Sequence, residues 1–222
     1  AMGFCLFNNV ALGARYAQKK YALRKVLILD WDLHHGNGTQ NAFYEDPGVL
    51  YFSTHQYPYY PGSGHLKEIG AGKGEGYTIN VPLGTGHGNG EFVRIFRKIL
   101  VPISMAFCPD LILVSAGFDI YYRDPLGGMK VSKEGFALLT KIAMEIAKSY
   151  AMGRIVVILE GGYHLEGLRE SGKAVLKELI GESIIEKTAV EIEEKVDKRI
   201  DSLIQTVKEH IRPHWEEVLR ED

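Results

Sequence analysis

The run Asp30-Trp31-Asp32-Leu33-His34-His35-Gly36 sets carboxylates and an imidazole at alternate positions. In extended backbone, residues i and i+2 point to one side, so Asp32 and His34 can reach one cation together. Asp119, in Ala116-Gly117-Phe118-Asp119, would complete a facial set of three. Three oxygen and nitrogen ligands leave a fourth position open, the arrangement of a catalytic rather than a structural zinc. A plainer reading makes Asp32 and His34 a local hydrogen-bonded turn and Asp119 a helix cap. Tyr163 follows two glycines in Glu160-Gly161-Gly162-Tyr163-His164. Gly161 and Gly162 allow backbone close to a ligand, and a phenol beside them can donate a hydrogen bond to a developing oxyanion. The alternative is a buried aromatic whose hydroxyl is already satisfied.

These residues need elements to hold them, and the chain supplies an alternation. Apolar runs rich in branched residues read as strands at 25–29, 49–53, 77–81, 111–115 and 155–159. Helical patterns lie between them, at about 9–20, 90–106, 132–150 and 166–180. Ser132 suits an N-cap, with Phe136, Leu139, Ile142 and Ile146 on one face. Strand-helix alternation predicts an α/β fold, a single domain with a largely parallel sheet flanked by helices. Ligands of such sheets sit at the carboxyl ends of the strands. Asp30 to Gly36, Ser53-Thr54-His55, Ala116 to Asp119 and Glu160 to His164 all follow strands, so four strand ends converge on one rim.

The tail changes texture. Ile192, Val196, Ile200, Leu203, Val207 and Ile211 recur at three- and four-residue spacing, which predicts an amphipathic C-terminal helix ending near Pro213. It serves either as a seam for a homo-oligomer or partner, or as a helix docked on its own domain. The expected division is a domain over 1–181 and a helical extension over 182–222.

The 222 residues are 45% hydrophobic and 24% charged with a net charge of -2, a globular composition that excludes a disordered chain and a collagen. No basic field recruits nucleic acid, and no apolar run approaches the roughly 18 residues of a membrane span. Cys5 and Cys108 cannot build a disulfide framework, so a reducing, cytoplasmic setting is expected.

Several motifs in order resemble one family. Asp30-Trp31-Asp32-Leu33-His34-His35-Gly36-Asn37-Gly38-Thr39-Gln40 looks like the zinc motif of histone deacetylases. Ser115-Ala116-Gly117-Phe118-Asp119, followed by Asp124-Pro125-Leu126, looks like the segment supplying their third ligand. Leu159-Glu160-Gly161-Gly162-Tyr163 looks like their catalytic tyrosine motif, and Gly3-Phe4-Cys5 and Tyr60-Pro61-Gly62-Ser63-Gly64 also match. Glu160 and the Phe118-Asp119 pairing lean toward class II and bacterial or archaeal deacetylase-like amidohydrolases. The resemblance covers residues 1 to about 180 and leaves the tail out.

The resemblance implies an arginase/deacetylase-like fold and zinc-dependent hydrolysis of an N-acetylated amine, such as acetyl-lysine or an acetylpolyamine. Asp32, His34 and Asp119 would bind one zinc per chain, and Tyr163 would stabilise the oxyanion. Gly3, Phe4 and Tyr60, with Leu126 at the mouth and Gly161 and Gly162 within, would line a narrow substrate channel; the family usually has Phe where Tyr60 stands. The family also binds potassium. Asp30, Ser53, Thr54 and the carbonyls of Asp32 and His34 match its inner site, and Phe43, Asp46, Val49 and Tyr77 its outer one. Motif alignment places the family's tandem His pair, its general base and acid, upstream of Ala1. The sequence thus reads as an N-terminally truncated family domain, inactive as given if that pair is essential, with an apolar sheet edge left exposed. His35 is then expected in a structural role, and His55, His65 and His87 on loops. The competing readings are a non-catalytic metal-binding or interaction module and a two-manganese ureohydrolase, which needs further carboxylates beside the His.

Overall fold

The structure, a computed structural model, describes residues 2–185, 196, 199–217 and 219. Helix α1 (Asn9–Tyr21) begins at Asn8, whose side chain accepts from the Ala11 N–H. Then come β1 (Val26–Asp30), α2 (Asn37–Phe43), β2 (Val49–Gln56) and β3 (Thr78–Leu83). Helix α3 (Asn89–Ile95) runs through a wide π turn at Phe96–Leu100 into α4 (Val101–Phe107). Pro102 stands just past that turn and has no N–H to give a tighter ladder. The order closes with β4 (Leu111–Ala116), α5 (Lys133–Tyr150), β5 (Ile155–Leu159), α6 (Leu165–Leu179) and α7 (Arg199–Trp215). No helix among the described residues is long and apolar enough to cross a membrane.

The five strands form one parallel sheet in the order β3-β2-β1-β4-β5. This is the α/β architecture read from the sequence. Each central strand is buried on both faces, which is why its sequence is a run and not an alternation. The period of two still sorts the side chains. Val26 and Ile28 face α1 with Val10, Ala14 and Ala17, while Leu27 and Leu29 join the larger core with Phe96, Phe136 and Ile142. Strand β5 has the same apolar texture but pairs with β4 on one side only, leaving Val156 48% and Leu159 60% exposed.

Chain order reverses at β1. The chain steps outward to β2 and β3, then returns to place β4 on the other side of β1. The crevice beyond the carboxyl ends of β1 and β4 is the topological switch point, where open α/β sheets take their ligands. Asp30 lies opposite Ser53 on β2 and Ser115 on β4, so three polar strand ends are level there.

The tail helix docks on its own domain. Ile200, Ile204, Val207, Ile211 and Trp215 are buried in the larger core. Trp215 donates from its indole N–H to the Gly76 carbonyl at 2.8 Å and meets the Tyr77 ring edge-on at 5.4 Å. The helix ends at Trp215, two residues beyond Pro213, near where the sequence places its end; the proline forfeits one bond to the preceding turn, and the anchored Trp215 holds the chain past it. Of the earlier part of the expected tail helix, Ile192 lies outside the described residues.

Candidate metal centre

The turn after β1 is built by carboxylates accepting backbone N–H groups. Asp30 Oδ1 accepts from Asp32 N at 3.0 Å, and Asp32 Oδ1 from His34 N at 2.8 Å. Asp119, arriving from β4, accepts the Leu33 N–H through Oδ1 at 2.8 Å. Asp32 and His34 therefore do form a local turn, rather than the extended backbone their spacing suggested, and Asp119 caps that turn and no helix. The turn nonetheless brings side-chain atoms of all three residues toward one point. His34 Nδ1 stands 3.2 Å from Asp32 Oδ1 and 3.0 Å from Asp119 Oδ2, and one ligand atom from each residue lies within 4.8 Å of the others.

Glycines make room for this approach. A Cβ on Gly36 would stand 2.6 Å from both Asp30 Oδ2 and the Tyr51 hydroxyl, and one on Gly117 would collide with the Asp32 carboxylate.

The electrostatics are those of a negative cluster around one imidazole. Burial pushes the Asp119 carboxyl up to about 7, with the Asp32 charge acting the same way and the His34 and Leu33 N–H contacts opposing. Burial, then Asp32, raises Asp30 well above the carboxylate range, although it accepts from Tyr51 and Asp32. Burial, then Asp32, also raises Glu160, which accepts from Ser115 at 2.7 Å. His34 goes the other way: burial disfavours its charge, but Asp119 and Asp32 outweigh that and push it up to about 10. Among the described residues His34 is the one basic partner of both Asp32 and Asp119. Two carboxylates and an imidazole in reach of one point, short of positive charge, fit a divalent cation of the zinc type.

Tyr163 reaches the same point. A Cβ on Gly161 would stand 3.0 Å from Asp119 Oδ2, 3.1 Å from Asp32 Oδ2 and 3.4 Å from the Tyr163 hydroxyl. One small volume thus touches two carboxylates of the cluster and a phenol, over a backbone that carries no side chain. Gly161 N also lies 3.3 Å from Asp32 Oδ2, tying the tyrosine loop to the carboxylate cluster. Burial, with Asp119 and Asp32 behind it, pushes the phenol up to about 12, so its proton is kept at neutral pH.

Residues 1–179 match the family described as Histone deacetylase domain. The chain belongs to the histone deacetylase family. It is 46% identical over 82% of its length to histone deacetylase 14, chloroplastic, of Arabidopsis thaliana, and 40% identical over 100% of its length to the polyamine deacetylase HDAC10 of Homo sapiens. It spans 43% and 33% of those two proteins. The crystal structure of the HDA15 HD domain superposes with a TM-score of 0.86 at 38% identity, covering 98% of this chain and 58% of that one. The histone deacetylase Clr3 does so at 0.88 and 34%, covering 98% and 36%.

The residues that the histone deacetylase pattern assigns to a channel lie around Tyr163 and His34. Phe4 meets Tyr163 edge-on at 5.9 Å, and Gly3 N donates to the Tyr60 hydroxyl at 2.9 Å. Tyr60 stands edge-on to His34 at 6.1 Å. Leu126 is half-exposed beside them, its carbonyl accepting from the Tyr59 hydroxyl at 2.7 Å. Tyr59 stacks on His34 at 5.7 Å.

Of the residues matched to potassium, Asp30 and Ser53 are buried and level across β1 and β2, while Thr54, also buried, turns its Oγ1 to the other face, where it lacks a hydrogen-bond partner. In the outer set, the Phe43 carbonyl accepts from Asp46 N and the Tyr77 carbonyl from Tyr51 N. The Tyr77 ring packs away from both, between Phe107 and Trp215.

The remaining histidines are committed elsewhere. His35 joins Ser63 at 2.7 Å and Gln40 at 3.0 Å, the structural role expected of it. His55 is not on a loop: it is a buried β2 residue held between Ser53 and the Gly64 carbonyl. His65 accepts from Lys67 N, and His164 caps α6 by accepting from Gly167 N. His87 is fixed through its carbonyl to Lys130 N. His210 and His214 lie on α7.

Proposed function

We propose that this chain carries the metal and oxyanion half of a zinc-dependent deacetylase that hydrolyses N-acetylated amines. One observation carries the reading: the Tyr163 hydroxyl, Asp32 Oδ2 and Asp119 Oδ2 all border the volume over Gly161. Asp32, Asp119 and His34 Nδ1 would hold one zinc. Bound there, zinc supplies Lewis-acid polarisation of an acetyl carbonyl and activation of water. Tyr163 keeps its proton and donates it as a hydrogen bond to the oxygen on which charge develops. Phe4, Tyr59, Tyr60 and Leu126 flank the aliphatic stem of a neutral acetylated amine, such as a protein lysine, a polyamine or a small metabolite. Asp30 and Ser53, level across β1 and β2, fit a potassium ion beneath: a buried carboxylate and a hydroxyl. The Thr54 hydroxyl turns to the opposite face of the strand.

None of the other seven histidines faces the cluster, so these residues supply no imidazole as general base. That role is worth about 10² to 10⁴ in rate. This observation favours, as a second reading, a chain that binds metal and substrate without turning it over. The test is hydrolysis of an acetyl-lysine peptide by the zinc-loaded protein, with Tyr163→Phe beside it. Turnover that falls in the variant supports the hydrolase. Zinc and hydroxamate binding without turnover supports the second reading. Binding of neither overturns both.

A further inference from the structure

Asp124 is 6% exposed, lies in the loop between β4 and α5, and divides its two oxygens between two other parts of the molecule. Oδ2 accepts from Tyr163 N at 2.7 Å and from His164 N at 3.2 Å. Oδ1 accepts from Leu126 N at 2.9 Å. Its partners are backbone N–H groups, two of them at the N-terminal end of α6, where a negative charge is favoured. Beyond Leu126 the connections continue: its carbonyl accepts from Tyr59, and Tyr59 stacks on His34. One buried carboxylate thus joins the mouth and a metal ligand to the backbone of the tyrosine.

Tyr163 needs such an anchor. Its ring is 37% exposed, its ring contact is Phe4, which is itself 85% exposed, and it follows Gly162, whose φ is +138°. Side-chain packing does not fix the phenol; the backbone must. Gly161 is tied upstream through its carbonyl to Phe118 N and through its N–H to Asp32. Downstream of the glycine pair, Asp124 takes both of the next two N–H groups.

We propose that Asp124 is a positioning residue. It sets the Tyr163 phenol against the metal ligands, and it links that setting to Leu126, where a substrate stem enters. The proposal rests on the hydrolase reading for its kinetic consequence, not for its structural one. Asp124→Asn keeps the size but leaves one acceptor oxygen and adds a donor. Either the Tyr163 and His164 N–H groups or the Leu126 N–H then faces another donor.

The first measurement is amide hydrogen exchange on the unmodified protein. Protection of Tyr163, His164 and Leu126, all outside regular strands, is expected; free exchange of the Tyr163 and His164 amides overturns the proposal. In Asp124→Asn those amides should exchange faster, while Leu33 and His34, held by Asp119 and Asp32, stay unchanged. A general loosening that includes Leu33 and His34 would mean a merely structural role and overturn it. The second measurement is a double-mutant cycle in turnover. A displaced catalytic group costs up to about 100-fold, so kcat should fall about 10- to 100-fold with KM within about twofold. In a Tyr163→Phe background the same change should cost nothing further, because its effect runs through the phenol. Equal losses in both backgrounds contradict the proposal. If the unmodified protein shows no turnover, the hydrolase reading fails while exchange still decides the role of Asp124.

Discussion

Where β1 and β4 end, Asp30, Asp32 and Asp119 crowd one turn of backbone and two of them share one imidazole. Along β3, the buried stripe of α7 lies in the apolar core, with Trp215 closing on the Gly76 carbonyl and the Tyr77 ring. The first region gathers like charges out of water, and its carboxyls Asp30 and Asp119 are raised as a result. The second gathers hydrocarbon, satisfies its one buried indole N–H and stands by itself. A divalent cation would relieve the first and do nothing for the second. The difference teaches that the rim and the dock can be damaged separately, one losing chemistry and the other stability.

The largest effect is expected at the rim. Asp119→Ala removes a ligand and a cap of the turn together. Zinc affinity should fall by more than the about 100-fold typical of losing an outer partner. Zinc should then raise the thermal midpoint of the unmodified protein but not of the variant, as differential scanning calorimetry would read. A variant stabilised by zinc to the same degree would place the metal elsewhere.

The dock comes next. Trp215→Ala should cost about 3 to 5 kcal/mol of unfolding free energy in urea titrations, with zinc affinity unchanged. Loss of zinc binding in the folded variant would show that the two regions are coupled after all. The Arg94–Asp201 pair that also ties α7 down is partly exposed, and a contribution of only about 0 to 1 kcal/mol is expected from it.

Tyr163→Phe sharpens the contrast within the rim. Removing one oxyanion donor typically costs about 10²- to 10³-fold in kcat, and zinc affinity and thermal midpoint should stay as they were. A variant that hydrolyses as fast as the unmodified protein would remove Tyr163 from the chemistry.

The smallest effect lies in the buried layer between the two regions. Burial, with His35 beside it, pulls the His55 imidazole down to about 3, so the folded chain keeps it neutral. The unfolded chain takes up that proton near pH 6.5. The stability His55 contributes is therefore fully present above pH 6.5. It falls by about 1.4 kcal/mol per pH unit as the pH drops toward 3. His55→Gln should flatten the acid limb of stability against pH, measured as urea midpoints from pH 7 to pH 5. An unchanged limb would assign acid sensitivity to other groups.

Much of this architecture is legible in the sequence because the signals are local. β5 spans the same residues as its apolar run, and α5 starts one residue after Ser132. Asp32, His34 and Asp119 meet as their types suggested, though through carboxylate-capped turns and not through strand geometry. What stayed hidden depends on contacts distant in sequence. Tyr59 gains its place from a hydrogen bond to Leu126, 67 positions away. Asp124 gains its place from Tyr163, 39 positions away. The run at β5 looks as buried as that at β1, but exposure depends on what packs over a strand: edge strand β3 is buried and edge strand β5 is not, which no single run encodes. Pro213 marks the end of the tail helix to within two residues, and the anchor at Trp215 shows what holds the last residues past it.

The measurement that tests the central claim most directly is metal content after zinc loading and dialysis, taken by elemental analysis per mole of chain. The account predicts one zinc per chain, falling to none in Asp119→Ala and staying at one in both Tyr163→Phe and Trp215→Ala. Two metals per chain, or one retained in Asp119→Ala, would contradict it.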